Sequence, residues 1–433
     1  MFLFDAELAD TLSEVQPTPF APASLGPLKL RNRLIKCATF EGATPDALVT
    51  PELIEFHREV AAGGVAMNTV AYCAISPEGR TDRHQIWMRP EAVPGLIDLT
   101  DAIHAEGALA AAQLGHAGPV ANSISNQAKA HAPSRIPAPM GMALCKKLTT
   151  DDISDTLLKY RRAARLAVDS GFDGLEIHFG HNYLASCFLS PLLNRRRDEY
   201  GGSLVNRARF CREISEAVRD EVGDDVAIWA KLSMYDGFPG SFGVDEACEV
   251  GRMFEADGYL DAIEPTAGSS LLNPMYLFHG DVPRKEFSNA FHGVMRWGIK
   301  AIAPVFMKKY DYEPAYLLPL SRQLREAVSM PLILLGGITD RASMDLALAE
   351  GFDFVAMGRA LLREPDLPLR IEADPTTVSK CVHCNLCMPT IYSHTRCPIR
   401  TGEVSEAEAV SRVRRAGVPG RRAARDLWSA KLP

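Results

Sequence analysis

The sequence predicts an α/β fold, a (β/α)8 barrel with long βα-loop insertions and a C-terminal extension. Two observations lead there. Eight short, continuous apolar runs recur along the 433 residues, and a stretch of helical period follows each one. A strand buried on both faces reads as a continuous apolar run, and strand-then-helix repeated eight times is the barrel pattern.

The runs are LIKCAT (34–39), GVAMNTVA (64–71), ALAAAQL (108–114), DGLEIHF (173–179), VAIWAKLS (226–233), LDAIEPT (260–266), PLILLGG (331–337) and FDFVAMG (352–358). Between them, helix starts are legible. Thr50 is an N-cap before Pro51, and Thr149 with Asp152 forms a capping box. The second helix carries an apolar stripe of Ile153, Leu157, Tyr160, Ala164 and Ala167. Two Gly-, Pro-, Asn- and Ser-rich stretches, 115–148 and 267–312, follow the third and sixth runs, where insertions build the active-site face of a barrel. The repeat ends after Glu364. We therefore divide the chain into a barrel, 1–373, and an extension, 374–433, whose arginine-rich end is expected to be poorly ordered.

Composition narrows the function. An apolar fraction of 47% with 23% charged residues suits a globular protein with a full core. A net charge of -7, without a basic stripe before the last thirty residues, argues against nucleic acid and for small-molecule partners. The N-terminus lacks a basic n-region, and no run reaches the roughly 18 apolar residues of a membrane span. Ten cysteines in this context read as reduced thiols of a cytoplasmic protein.

In a barrel the chemistry sits where strands end. The seventh run closes in Gly336 and Gly337 before a helix start, and the eighth in Gly358 and Arg359. Glycine turns, a helix start and an arginine together suit a phosphate. Ala38, Thr39, Ala71, Gln113 and Lys231 close other runs and would surround a flat heterocycle. HFGHNY (178–183) ends the fourth run, and its histidines could hold a metal, clamp a substrate oxygen or fill space. No HExxH or third carboxylate ligand accompanies HxxH, so metal is the weakest of these.

NRLIKCATFEG (32–42), QLGHAG (113–118), FLSPLLNRRRDEYGGSLVNRARF (188–210), LGGI (335–338) and AMGRALL (356–362) resemble the Old Yellow Enzyme and NADH:flavin oxidoreductase family, from about residue 20 to about 400. The resemblance implies an FMN-binding barrel of ene-reductase type, taking hydride from NADH or NADPH and passing it to an electron-poor C=C bond. It also implies that Gln113 and Lys231 face the flavin, that Ala38, Thr39 and Ala71 approach it, and that Gly336, Gly337, Gly358 and Arg359 take its phosphate. His178 and His181 would hold a substrate carbonyl oxygen, and Tyr183 would supply the proton. Two donors aimed at that oxygen stabilise enolate-like charge, and a phenol can protonate the α-carbon. Two departures stand out. Phe40 replaces a residue that can hydrogen-bond to the flavin, and Lys231 replaces the usual arginine fork with a point charge.

Cys381, Cys384 and Cys387, then Cys397 after nine residues, match the ligand count of a [4Fe–4S] cluster or of zinc. The spacing is similar to that of 2,4-dienoyl-CoA reductase and trimethylamine dehydrogenase. A retained loop that binds neither is the alternative. An occupied cluster would favour an amine or demethylating dehydrogenase that feeds an external acceptor protein, and Phe40 with Lys231 leaves open a flavin-binding protein without turnover. A homo-oligomer is expected.

Overall fold

The computed structural model describes residues 18–415. All eight runs become parallel strands: β1 (Leu34–Lys36), β2 (Met67–Ala74), β3 (Leu109–Gly115), β4 (Gly174–Phe179), β5 (Ala227–Ser233), β6 (Ala262–Thr266), β7 (Ile333–Leu335) and β8 (Phe354–Met357). Neighbours pair in chain order from β1 to β6, and β8 joins β7 to β1. The parallel bridge between Ile263 and Leu332 brings β6 to β7 and closes the barrel.

Helices α1 (Pro51–Ala62), α2 (Val93–Ala105), α3 (Thr150–Asp169), α4 (Leu204–Val222), α5 (Val244–Asp257), α6 (Leu318–Ala327), α7 (Arg341–Ala349) and α8 (Leu367–Ala373) follow the strands. The expected caps form. Thr50 Oγ1 accepts from Leu53 N–H at 3.3 Å, and Thr149 and Asp152 exchange bonds of 3.1 and 3.0 Å. On α3 the stripe is buried except for the half-buried Leu157.

The core has two layers, as a closed barrel requires. Outward strand residues such as Val70, Leu114, Ile177 and Leu232 pack with the helices. Inward residues, including Ile35, Met67, Ala111, Trp229, Phe354 and Ala356, fill the interior, where Leu25 and Leu30 of an N-terminal hairpin join them. With one end plugged, the opposite strand ends are the accessible face, and both insertions lie there. The first folds around a short hairpin (Pro137–Ala138 with Ala143–Leu144), and the second into two helices, Arg284–Asn289 and Gly293–Phe306.

The extension differs from expectation in part. Helix Glu406–Arg415 is ordered and docked, with Ala409 buried and Arg412 held by Glu286 at 2.6 Å. Arg412's partner Glu286 lies in the second insertion, a link that sequence proximity could not reveal. Residues 416–433 of the expected disordered tail lie outside the described residues. No helix among the described residues is long and apolar enough to cross a membrane.

Candidate functional site

Strand alternation places one set of polar residues on the inner face at the barrel mouth: Glu176 and His178 on β4, Lys231 and Ser233 on β5, Glu264 and Thr266 on β6. Register aligns them in rows. Gln113 lies opposite Glu176, while Lys231 stands between His178 and Glu264.

Lys231 is 2% exposed, and its Nζ lies 2.8 Å from both Glu176 Oε1 and Glu264 Oε1. Gln113 Nε2 donates to the same Glu176 oxygen, and Trp229 Nε1 donates to the other at 3.2 Å. Lys231 thus sits as a point charge between two carboxylates. Burial pushes Glu264 up to about 8, with the Glu176 charge adding to it and Lys231 opposing it. Desolvation would depress the ammonium, yet the two carboxylates raise it above its ordinary value. One cation with two acids of which one tends to stay protonated makes a nearly neutral, polar edge. Neither glutamate was identified from sequence, although each is the one carboxylate in the interior of its apolar run, the other acid lying near the run's start, which was a readable signal.

His181 and Asn182 follow β4 with φ of +59° and +57°, left-handed values that His and Asn tolerate better than most side chains. This turn carries Tyr183 back against His178, ring centroids 4.7 Å apart and edge-to-face. Tyr72 packs on both rings. The histidines do not form a simple fork. His181 Nδ1 meets His178 Nε2 at 3.3 Å, His181 Nε2 meets Thr266 Oγ1 at 3.0 Å, and Ser233 Oγ accepts from His181 N–H at 3.1 Å. His178 Nδ1 is buried and has no protein partner. Burial, with repulsion from His181 and Lys231, holds His178 well below its usual range, and burial with Lys231 takes His181 down to about 3. Both rings are neutral near pH 7. Burial raises Tyr183 to about 12, so its phenol stays protonated.

Ala38 and Thr39 follow β1, Ala38 beside Ala71 of β2 and Thr39 beside the buried Lys36–Glu41 pair. Ala38 and Phe40 pack against Ala71 and Tyr72, and Phe40 bridges to Ala71. Thr39 Oγ1 donates to Glu41 at 2.6 Å, inside a network with the buried Lys36. The Phe40 carbonyl accepts from Thr395 Oγ1, so the extension reaches this edge of the mouth.

Gly336 and Gly337 have φ of +103° and +81°. A Cβ at Gly337 would come within 2.8 Å of Ala315 N and 2.9 Å of Glu313 O, so only glycine fits both the angle and the space. No backbone carbonyl among the described residues accepts from Gly336, Gly337 or Gly358 N–H. Arg359 is drawn aside: it donates to Asn385 Oδ1, to His279 O at 3.0 Å and toward Tyr316 OH at 3.4 Å.

Asn385 belongs to the cysteine segment. Cys381, Cys384, Cys387 and Cys397 line one cavity together with Arg359, and none of them is in a disulfide. Burial raises Cys384 to about 11 and raises Cys387 as well. Among the described residues, the single group of three or more ligating atoms lying within 4.8 Å of one another contains none of these sulfurs.

The barrel mouth thus carries, among the described residues, glycine N–H groups without a backbone acceptor and an arginine on one side, and a polar, nearly neutral edge on the other. The chain belongs to the NADH:flavin oxidoreductase / NADH oxidase family, whose profile matches residues 19–262. It is an FMN-dependent enzyme that uses NAD(P)H. It is 52% identical over 386 residues to the 4,4'-dithiodibutanoate disulfide reductase of Rhodococcus erythropolis, covering 89% of this chain and 96% of that one. A metal reductase of Desulforamulus reducens is 34% identical over 84% of this chain, which spans half of that longer protein. Among solved structures, a 2-naphthoyl-CoA reductase complexed with 2-naphthoyl-CoA superposes with a TM-score of 0.76 at 25% identity, over 89% of this chain and 58% of that one.

Proposed function

We propose that the protein is an ene-reductase that reduces an electron-poor C=C bond of a small enone- or enoate-like substrate. The observation that carries this reading is the unpartnered His178 Nδ1 beside the protonated Tyr183 phenol. FMN, when bound, supplies the hydride that NAD(P)H provides. Gln113, Lys231, Ala38, Thr39 and Ala71 would hold its ring, and Gly336, Gly337, Gly358 and Arg359 its phosphate. The free glycine N–H groups support that assignment. His178 Nδ1–H holds the substrate's carbonyl oxygen as negative charge develops there, His181 supports His178 from behind, and Tyr183 protonates the α-carbon. Changing Tyr183 to Phe is expected to slow alkene reduction roughly 10²–10⁴-fold. Reduction of bound flavin by NAD(P)H should keep its rate, and equal loss of both half-reactions would overturn the assignment.

The 52% identity to a disulfide reductase supports a second reading, reductive cleavage of a small organic disulfide. A disulfide takes up one hydride and one proton and releases two thiols. Leaving thiolates, with ordinary pKa near 8.5, need no proton delivered to carbon, so Tyr183 would be dispensable. Disulfide turnover that survives Tyr183→Phe, in an enzyme inactive on enones, selects this reading.

We also propose that the four cysteines of the 374–433 extension hold a [4Fe–4S] cluster in preference to zinc. What supports this is the CxxCxxC spacing with a fourth cysteine after nine intervening residues, similar to that of flavin barrels with such a cluster, and the one cavity that all four cysteines line. An external acceptor protein is the partner such a centre would serve. Protein purified anaerobically should carry stoichiometric iron and sulfide, and zinc in their place would refute the assignment.

A further inference from the structure

The eleven large apolar side chains left exposed among the described residues are not spread evenly. Six of them, Ile124, Met142, Leu144, Trp297, Ile302 and Val305, stand on the two insertions at the barrel mouth. The insertions touch there. Met140, in the turn of the first insertion's hairpin, packs against the cluster that Met275, Phe287 and Met307 form in the second.

Helix Gly293–Phe306 carries two apolar faces. Met295, Ile299, Ala303 and Phe306 recur at helical spacing and pack into the cluster of their own insertion, which anchors the helix. The opposite face presents Trp297, Ala301 and Val305, again four apart, with Trp297 70% and Val305 76% exposed. A surface helix ordinarily sets polar residues on that side, and a contiguous apolar face left in water marks a binding surface.

Charge identifies what it binds. Arg296 and Lys300 edge the exposed face, and the Lys300 ammonium lies 5.4 Å from the centroid of the Trp297 ring. Lys308 and Lys309 follow the helix, and no acidic residue occurs between Glu286 and Asp311. The first insertion repeats the pattern: Lys146 and Lys147 come just after Leu144, and no acid occurs between Glu106 and Asp151. In a chain of net charge -7, both apolar-tipped stretches are therefore cationic. A second copy of the chain fits this face poorly, because a two-fold contact through the helix would bring Arg296 and Lys300 of both copies together. Tryptophan and aliphatic side chains flanked by lysines match a surface that is apolar beneath and anionic above.

We propose that the two insertions dock the barrel mouth onto a membrane of anionic phospholipid. Helix Gly293–Phe306 lies in the plane of the interface, with Trp297, Ile302 and Val305 beneath the headgroups and Lys300 and Lys308 at the level of the phosphates. No spanning segment is involved, and the mouth faces the lipid.

The test uses the FMN-loaded full chain with vesicles of phosphatidylglycerol and phosphatidylcholine, against vesicles of phosphatidylcholine alone. Sedimentation with the anionic vesicles is expected, with much weaker binding to the neutral ones and release at high salt. Trp297→Ser/Val305→Ser should weaken binding roughly a hundredfold through lost apolar burial. Lys300→Gln/Lys308→Gln should weaken it roughly 25-fold on anionic vesicles, at about fivefold per cation. All four changes lie at exposed positions, so FMN content and urea midpoint should stay at wild-type values, which separates lost binding from a lost fold. Failure to sediment with anionic vesicles overturns the proposal, as does binding that both variants leave unchanged. Self-association of the protein that Trp297→Ser/Val305→Ser abolishes would assign the face to a second copy and overturn it as well.

Discussion

The two sides of the barrel mouth are built differently. At the ends of β4, β5 and β6 the polar groups come from the strands themselves, and register alone sets Glu176, His178, Lys231, Glu264 and Thr266 in rows. At the ends of β7, β8 and β1 the strands contribute turns and backbone, while the side chains that engage them arrive from far along the chain: Asn385 and His279 on Arg359, Thr395 on Phe40. The first side is rigid because moving any member means moving a strand. The second can be adjusted by its loops. Chemistry that needs sub-ångström placement fits the first side, and binding of an anion by several weak contacts fits the second.

The sharpest break of this contrast is Lys231→Met. It leaves Glu176 and Glu264 buried without their cation, and the expected cost is about 3–5 kcal/mol, read as a lower urea midpoint. Arg359→Met acts on the adjustable side. It should leave the urea midpoint nearly unchanged while weakening FMN retention by about 1.5–3 kcal/mol, or roughly 10- to 150-fold in Kd. If FMN affinity hardly moves while the cysteine segment becomes protease-sensitive, Arg359 is a tether for Asn385 and not a phosphate ligand.

The same contrast explains what was legible in the sequence. All eight strands and their order were readable, because burial on both faces leaves an unbroken apolar run and chain order equals spatial order in a barrel. HFGHNY and the glycine closings were readable for the same reason, since a residue ending a run must sit at the mouth. The links that make sites were less accessible. Pairing of His181 with Thr266 spans 85 positions, and that of Arg359 with Asn385 depends on how two loops fold over each other.

Glu264 sharpens the account of the rigid side through pH. Its carboxyl is raised by burial to about 8 in the folded protein, against an ordinary value of 4.5. For an acid shifted upward, the fold favours the protonated form. The stabilisation is complete below about pH 4.5 and is lost as pH rises through about 8. Melting temperature should therefore decline over that window, as stability falls by no more than about 1.4 kcal/mol per pH unit. Glu264→Gln, which keeps the shape and cannot ionise, should flatten the decline. A variant that follows the wild-type curve would assign the titration to another group.

The smallest expected effect is also the most specific. A neutral imidazole has one N–H and one lone pair, so the chain from Thr266 through His181 to His178 can be polarised in two directions. If the Thr266 hydroxyl donates to His181 Nε2, His181 Nδ1–H faces His178 Nε2 and His178 Nδ1–H is left for the substrate. In the opposite direction a lone pair faces the substrate, where it would repel a developing oxyanion. Thr266→Val removes the hydroxyl at nearly constant shape and with it the bias, at an expected cost of about 1 kcal/mol, roughly fivefold in kcat for the step that needs the oxyanion. Flavin reduction by NAD(P)H and KM should change little, and Thr266→Ser should restore the rate. Because burial and Lys231 keep both rings neutral, neither should add a limb to the kcat profile between pH 5 and 9. A limb near 6.5 in the wild type, or a Val variant as fast as the wild type, would show that the histidines act as independent groups and that Thr266 is only their neighbour.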